Sequence, residues 1–154
     1  MKKIIFCITI NLLILLLVGC SKKGLIRETG DVKFPASHRA DKSVVYIFRP
    51  GTERGNFKHD IFVDNAVDSK NYVGYNMGGE YIYFYLSPGK HRIHSHAEYG
   101  AWIDIYSEGG KAYFVEQLKK GGGNAGNSMK FINEKSAKRW IKKLRPGRII
   151  RKEH

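Results

Sequence analysis

The sequence predicts a mainly β fold, an antiparallel sandwich or barrel of about seven or eight short strands followed by one C-terminal helix. Three observations support this prediction. From residue 43 onward, short runs of β-branched and aromatic residues alternate with turn residues such as Pro, Gly and Asn. These runs follow one another at regular spacing, as they do in all-β domains. Only residues 134–144 carry apolar side chains at helical spacing.

Residues 1–19 have the three parts of a secretory signal peptide in the right order. Lys2 and Lys3 form a positive start, residues 4–18 are mainly apolar, and Gly19 is a small residue before the cleavage position. The apolar stretch contains polar residues and is shorter than the about 20 residues that a transmembrane helix needs. We therefore expect this segment to be removed from the mature protein.

Cys20 ends the run Leu-Val-Gly-Cys, which resembles the bacterial lipobox. The resemblance implies that a diacylglyceryl group is attached to Cys20 and that acyl chains such as palmitate anchor the protein in a membrane. Each buried methylene adds about 0.8 kcal/mol, so two or three chains on one cysteine hold a protein almost permanently. Ser21 follows in place of an aspartate, which by resemblance to enterobacterial lipoproteins implies the outer membrane rather than the inner one.

Residues 20–42 contain Lys, Arg, Gly, Pro, Ser and Asp with scattered apolar residues, and we interpret them as a lipidated flexible tether. The chain has 27 Lys and Arg against 14 Asp and Glu, a net charge of +13, which becomes +11 when Lys2 and Lys3 are removed. Cys7 leaves with the signal and Cys20 carries lipid, so no thiol remains for a disulfide. For an exported chain, this charge favours anionic lipid or polymer over nucleic acid as a partner.

Residues 43–133 are predicted to form the β domain. The first strand, residues 44–48, is β-branched and aromatic throughout and ends before Pro50 and Gly51. The other predicted strands are residues 60–63, 71–75, 81–86, 91–98, 101–106, 111–118 and 129–132. Residues 20–154 provide enough chain for one domain with its own apolar core.

The clearest predicted turn is residues 87–90, Ser-Pro-Gly-Lys, because Pro presets φ and Gly accepts a positive φ. We predict that this turn forms a hairpin in which Phe84 faces Ile93 in the core. The opposite face would then carry the candidate binding residues Tyr81, Tyr83, Tyr85, Arg92, His94 and His96. Tyr and Arg provide rigid contacts and cation-π attraction, so this face is a candidate recognition surface. The alternative is an ordinary polar-aromatic outer face that a loop or the terminal helix covers.

Residues 134–144 are predicted to form an amphipathic helix that lies on the domain. Its apolar stripe is Ala137, Trp140, Ile141 and Leu144. Asn133 can cap its start, and Pro146 with Gly147 ends it. Residues 145–154 follow as a basic tail. The candidate basic residues for an anionic surface are Lys142, Lys143, Arg145, Arg148, Arg151 and Lys152.

Four runs of the predicted domain carry a family resemblance: Tyr46-Ile47-Phe48-Arg49-Pro50, Val63-Asp64, Leu86-Ser87-Pro88-Gly89-Lys90-His91 and Gly110-Lys111-Ala112-Tyr113-Phe114-Val115. In order and spacing they are similar to the bacterial lipoprotein family named domain of unknown function 2846, over residues 43–119. The resemblance implies an immunoglobulin-like or transthyretin-like β-sandwich on a lipid anchor. The family has no established activity, so the resemblance implies no catalytic residues.

Patterns typical of enzyme active sites are missing from the sequence. After processing there is no free cysteine, and there is no Gly-x-Ser-x-Gly, His-Glu-x-x-His or Walker motif. His94, His96 and Glu98 alternate onto one strand face, but three ligands along one strand are too spread out for a compact tetrahedral site. We expect no catalytic residue, no metal and no cofactor, and an enzymatic or metal-binding domain stays the remotest alternative.

Two functional hypotheses follow from these observations. The first is a noncatalytic binding or structural module in the cell envelope, which meets an envelope protein or polymer through the Tyr-His-Arg face. The second is a binder of anionic lipid, lipopolysaccharide or cell-wall polymer through the basic helix and tail, where each charge near an anionic membrane contributes about 1 kcal/mol. A solvated basic end that only maintains solubility is the alternative to the second hypothesis.

The lipid anchor is testable by the substitution Cys20→Ala. Without the thiol no acyl chain can be attached, so we expect the variant to move from the membrane fraction to the soluble fraction on cell fractionation. A variant that stays in the membrane fraction after a high-salt wash would contradict the anchor.

Overall fold

The computed structural model describes Phe34 and residues 39–51, 57–97, 100–120 and 126–154. The predicted signal peptide, Cys20 and most of the predicted tether lie outside the described residues. The described elements are β1 Ser43–Arg49, β2 His59–Val63, a 3-10 turn Ser69–Asn71, β3 Tyr72–Asn76, β4 Glu80–Leu86, β5 Gly89–His96, β6 Ala101–Ser107, β7 Ala112–Lys120, β8 Gly126–Phe131, α1 Glu134–Ile141, β9 Arg145–Pro146 and β10 Arg148–Ile149.

The strands form two sheets that pack face to face. The first sheet has the order β8-β7-β1-β4-β9, and the second has the order β10-β3-β2-β5-β6. The predicted β-sandwich with a C-terminal helix is therefore confirmed, and the eight predicted strands correspond to β1–β8. Two pairings were not expected: β7 and β9 run parallel to their neighbours β1 and β4.

The main core lies between the two sheets, where side chains of opposite sheets meet. Its buried residues are Val45, Ile47, Ile61, Val63, Val73, Ile82, Phe84, Leu86, Ile93, Ile105 and Val115. In β1, β2 and β4 these residues occupy alternate positions, because successive side chains of a strand point to opposite faces. Phe84 and Ile93 are both fully buried here, as predicted, although they come from facing sheets.

A second apolar cluster covers the outer face of the first sheet. Its buried members are Val44, Tyr46, Phe48, Tyr81, Tyr83, Phe114 and Ala137. The predicted helical stripe packs on this cluster: Ala137 is buried, and Trp140, Ile141 and Leu144 are partly buried against it. The predicted cap is also confirmed, since the Asn133 side chain accepts a hydrogen bond from the Ser136 backbone at 2.9 Å. The helix ends at Ile141, three residues before the predicted end.

The predicted hairpin between residues 81–86 and 91–98 is wrong. β4 pairs with β1 along its whole length, whereas β5 pairs with β2 and β6 in the other sheet. The Ser87-Pro88 connection therefore crosses from one sheet to the other. A Pro-Gly turn of this kind does not match the twist of a tight hairpin, and Pro88 cannot donate a hydrogen bond to a sheet.

Residues 145–154, predicted as a basic tail that follows the domain, instead pair with both sheets. β9 pairs with β4, and β10 pairs with β3. Residues 152–154 run beside the end of β4, where the Tyr85 backbone donates to the Lys152 carbonyl at 2.6 Å and the His154 backbone donates to the Tyr85 carbonyl at 3.0 Å. Unpaired sheet edges are unfavourable, and this basic segment covers edges of both sheets.

Part of the predicted tether belongs to the domain. Arg39 and Lys42 both form ion pairs with Glu153, each at 2.7 Å. Phe34 packs on the outer face of the first sheet, with ring centroids 5.0 Å from Tyr46 and 5.6 Å from Phe114. The chain therefore reaches the domain nine positions before the predicted domain boundary at Ser43.

We predict that Gly74→Ala destabilises the sandwich. Gly74 has φ of +149°, and an added Cβ would lie 2.1 Å from the Arg148 carbonyl oxygen. The substitution should separate β10 from β3 and lower the free energy of unfolding in urea by about 1–3 kcal/mol. Gly51→Ala is the matched control, because a Cβ there meets nothing within 4 Å. Equal stability of the two variants would show that the close approach of β3 and β10 does not matter.

Candidate recognition surface

The six predicted binding residues lie on two different sheets and cannot form one face. Tyr81 and Tyr83 are on the outer face of the first sheet. They are only 6% and 7% exposed because they belong to the apolar cluster that α1 covers. Tyr85 is half-buried beside the C-terminal segment. Arg92, His94 and His96 are on β5 in the second sheet. The tyrosines therefore stabilise packing, which was the alternative considered for them, and three of the six residues remain candidates.

Arg92, His94 and His96 share the outer face of β5 with side chains of the neighbouring strand β6. The cross-strand pairs are Lys90 with Tyr106, Arg92 with Asp104, and His94 with Trp102. We call these six residues, together with His96, the β5–β6 face. Among the described residues no helix packs on this side of the second sheet, unlike the first sheet, whose outer face carries α1.

Two large aromatic side chains of the β5–β6 face are strongly exposed. Trp102 is 61% exposed and Tyr106 is 70% exposed. The Arg92 guanidinium lies 5.9 Å from the Trp102 ring, and the Lys90 ammonium lies 6.0 Å from the Tyr106 ring. These are cation-π distances, so each exposed ring is held beside a positive charge.

A bidentate ion pair between Arg92 and Asp104 lies between the two aromatic rings. Arg92 Nε donates to Asp104 Oδ1 at 2.6 Å, and Arg92 Nη2 donates to Asp104 Oδ2 at 2.9 Å. The hydrogen bond from Arg92 lowers the pKa of Asp104, and the same bond raises the pKa of Arg92. This planar geometry orients the guanidinium next to Trp102 and keeps the middle of the face close to electrically neutral.

A shallow groove of about 420 Å³ runs along one end of this face. It is lined by Ala66, Arg92, His94, Ser95, His96, Gly100, Ala101 and Trp102. His94 Nε2 is buried and has no hydrogen-bond partner in the described part of the chain. The groove thus combines an exposed indole with ring nitrogens and a guanidinium, which suits noncovalent contact with a polar partner.

The aromatic character continues across the second sheet. The Phe62 ring is tilted against the Tyr72 ring with 5.1 Å between their centroids, and it meets the His96 ring edge-on at 6.2 Å. The Tyr72 hydroxyl donates to Asp60 at 2.6 Å, and burial together with this bond raises the pKa of Tyr72. Lys58 forms an ion pair with Asp60 at 2.9 Å. Cations and carboxylates are therefore paired across much of this face.

The predicted basic residues are divided by the fold. Lys142, Lys143, Arg145 and Arg151 are exposed. Arg148 instead donates to the Tyr75 hydroxyl at 3.2 Å, and Lys152 donates to the Tyr83 hydroxyl at 3.2 Å. The first group is available to an external anion, whereas the last two residues hold the C-terminal segment on the sheets.

A buried polar cluster lies behind the groove, on the inner side of β5. Ser95 Oγ accepts hydrogen bonds from Gln117 and Asn127 side chains, and Asn76 donates to Gln117 at 2.7 Å. Because the oxygen accepts two bonds, its own hydrogen points to His59 Nδ1, 3.3 Å away. Ser95 is completely buried, and its bonds with Gln117 and Asn127 join the two sheets, whereas its contact with His59 lies within the second sheet.

The described residues form neither a metal-binding group nor a membrane-spanning helix. Within residues 39–51, 57–97, 100–120 and 126–154, no group of three or more His, Cys, Asp or Glu side chains could hold a metal ion. The same described residues include no helix that is long and apolar enough to cross a membrane. Glu98, which was considered beside His94 and His96, lies outside the described residues.

Trp102, Asp104 and Tyr106 were missed as site residues, although the sequence carries their signal. Ile103 and Ile105 alternate with them, which predicts that the three polar and aromatic side chains face outward. Pairing residues 91–96 with the following strand, instead of the preceding one, would have brought them opposite His94, Arg92 and Lys90.

Comparisons with known proteins identify a relative without extending the functional description. The chain is 26% identical over 134 residues to a protein of Haemophilus influenzae described as an uncharacterized protein. The match spans 84% of this chain and 77% of that protein. No family model matches the sequence, and no solved structure matches it. The resemblance to the family named domain of unknown function 2846 thus stays a prediction.

The buried cluster makes stability depend on pH through His59. Burial, followed by the nearby Arg49 charge, lowers the pKa of His59 to about 4. An unfolded histidine titrates near pH 6.5, so the unfolded chain binds the extra proton between pH 6.5 and 4. The stabilising effect of the neutral ring is complete above that range and is lost as the pH falls through it.

We therefore expect the wild type to lose about 2 kcal/mol more unfolding free energy between pH 7 and pH 4 than His59→Gln. Gln can still hydrogen-bond to Ser95 but cannot titrate. Urea unfolding at both pH values measures the difference, and the remaining titrating groups are common to both proteins. If the unfolding free energies of wild type and His59→Gln fell equally between pH 7 and pH 4, the role given to His59 would be refuted.

Proposed function

We propose that this protein is a noncatalytic recognition module of a bacterial lipoprotein, tethered to the cell envelope through lipid on Cys20. Its β5–β6 face binds a protein partner. The observation that carries the proposal is the exposure of Trp102 and Tyr106 on one strand face, each ring beside a cation. Trp, Tyr and Arg are the residues that most often dominate the energy of protein–protein interfaces.

The charge balance of the face favours a protein over an anionic polymer as the partner. On this face Asp104 is paired with Arg92 and also feels the charge of Lys90, and on the adjoining strand β2 Asp60 is paired with Lys58. A polyanion gains affinity from unpaired cations, whereas a mixed surface of paired charges and exposed rings gives specificity and anchoring points. The exposed rings can bury apolar area without large loss of side-chain entropy.

The envelope location is supported by the sequence of residues 1–20. A positive start, an apolar stretch and the Leu-Val-Gly-Cys run stand together in the order of a lipoprotein signal. Lipid on Cys20 would keep the module at a membrane surface, and we propose the outer membrane because Ser21 stands where an aspartate would favour retention.

Photocrosslinking in living cells tests the recognition face. A benzophenone side chain placed at Tyr106 or Trp102 should give a discrete crosslinked protein product, because both positions lie in the proposed contact. Phe131 is the matched control, since it is also a large aromatic residue, 49% exposed, but lies on β8 of the other sheet. Crosslinking at residue 131 equal to that at 102 and 106, or no product at either position, would contradict the proposal.

Alanine substitutions then measure the energy of the contact. Trp102→Ala and Tyr106→Ala should each weaken binding of the crosslinked partner, purified and measured by calorimetry, by about 2 kcal/mol or roughly 30-fold. Their effect on folding should stay within about 0.5 kcal/mol, because both side chains are mainly exposed. Unchanged affinity in both variants would show that the rings are not the anchors.

A further inference from the structure

The helix side of the domain has a different charge balance from the β5–β6 face. Six exposed basic side chains lie on α1 and the four residues after it: Lys135, Lys138, Arg139, Lys142, Lys143 and Arg145. Glu134 is the acidic residue of this segment, and it is paired with Lys138 at 2.7 Å. Glu80 is 3.9 Å from Arg145 but is itself almost completely buried. This surface therefore presents an excess of positive charge to the outside.

The predicted tether reaches the domain on the same side. Phe34 belongs to the apolar cluster under α1, where it packs against Tyr46 and Phe114. Cys20 is 14 positions earlier in the chain. Even a fully extended chain spans only about 3.5 Å per residue, so the lipid on Cys20 cannot lie farther than about 50 Å from Phe34. The point where the tether reaches the domain, Phe34, and the basic surface are thus on one side of the sandwich.

The β5–β6 face lies on the opposite side. The two sheets of a sandwich pack about 10 Å apart, and a packed helix adds a layer of similar thickness. Both sheets therefore stand between α1 and Trp102. A membrane that contacts α1 leaves the exposed rings of Trp102 and Tyr106 accessible from the far side.

We propose that α1 and residues 142–145 form a docking surface for the anionic membrane that holds the anchor, with the β5–β6 face directed away from the lipid. This inference rests on the proposed lipid anchor for the choice of membrane as partner. Charge complementarity supports it, because Lys and Arg next to a lipid anchor are attracted to anionic headgroups. The lipid and the basic surface then act as two linked contacts, which fix the orientation of the module.

The two tryptophans of the chain provide a direct test, since Trp140 is on α1 and Trp102 is on β6. Full-length protein is reconstituted into phosphatidylcholine vesicles with about a third phosphatidylglycerol and a dansyl-labelled lipid. Energy transfer to the dansyl group is measured in Trp102→Phe, which keeps Trp140, and in Trp140→Phe, which keeps Trp102. Because about two sheet layers separate the rings, transfer from Trp140 should be at least about twice that from Trp102.

Charge reversal separates docking from simple tethering. In each single-tryptophan protein, Lys142→Glu with Lys143→Glu should reduce the difference in transfer by half or more. Lys70→Glu with Lys111→Glu is the control with the same change in net charge; both residues are exposed and lie outside the helix surface and the β5–β6 face, and the difference should persist. Vesicles without phosphatidylglycerol should behave like the Lys142 and Lys143 variant.

The outcomes distinguish this inference from the proposed function. Equal energy transfer from the two tryptophans in vesicle-bound protein, or greater transfer from Trp102, overturns the docking surface even if the anchor exists. The same result is expected if the basic surface binds an acidic protein instead of the membrane. Protein whose mass lacks a diacylglyceryl group, and which does not float with vesicles, overturns the anchor and the docking surface together. Unlipidated protein that still floats with Trp140 nearer the lipid supports the docking surface and overturns only the anchor.

Discussion

The first sheet is apolar on both of its faces, and the rest of the structure depends on covering them. All of β1 except its last residue is buried, with Val45 and Ile47 directed to the main core and Tyr46 and Phe48 to the outer cluster. The second sheet covers one of these faces. The other needs a further layer, which α1 supplies with the help of Phe34. A sheet that packed on one side only would leave these aromatic rings in water.

This requirement gives the two sides of the sandwich different surfaces. Covering the first sheet brings α1, its basic residues and the end of the predicted tether to one side. The second sheet has no corresponding cover among the described residues, and its outer face carries Trp102 and Tyr106 instead. One side therefore has unpaired positive charge over a buried apolar layer, whereas the other has exposed rings between paired charges. These are the properties that the proposed membrane contact and the proposed partner contact require.

The C-terminal segment links both sides into one unit. β9 extends the first sheet, β10 extends the second, and Gly147 between them donates a backbone hydrogen bond to Tyr81 at 2.7 Å. Glu153 then joins this segment to Arg39 and Lys42 at the start of the domain. Exposed ion pairs contribute little stability each, so the segment is held mainly by its backbone hydrogen bonds and by burial of the His154 ring against Phe84. A basic segment can thus be structural even though its composition resembles a solvated tail.

The elements of this protein and the direction of their side chains follow from local patterns in its sequence. Runs of β-branched and aromatic residues between turn residues located β1–β8, and side-chain alternation placed Phe84 and Ile93 inside. The spacing of Ala137, Trp140 and Ile141 identified the buried stripe of α1. Both patterns are local, because a strand or helix shows in its own residues which face is apolar. Only the tertiary structure decided which strands pair. The alternation of side chains is the same whether β4 pairs with β5 or with β1. It therefore could not reveal that the helix covers the tyrosines of β4, or that Arg92, His94 and His96 face outward beside Trp102. Strand pairing depends on contacts between residues far apart in the chain, and those contacts divided one predicted face into a buried layer and an exposed surface.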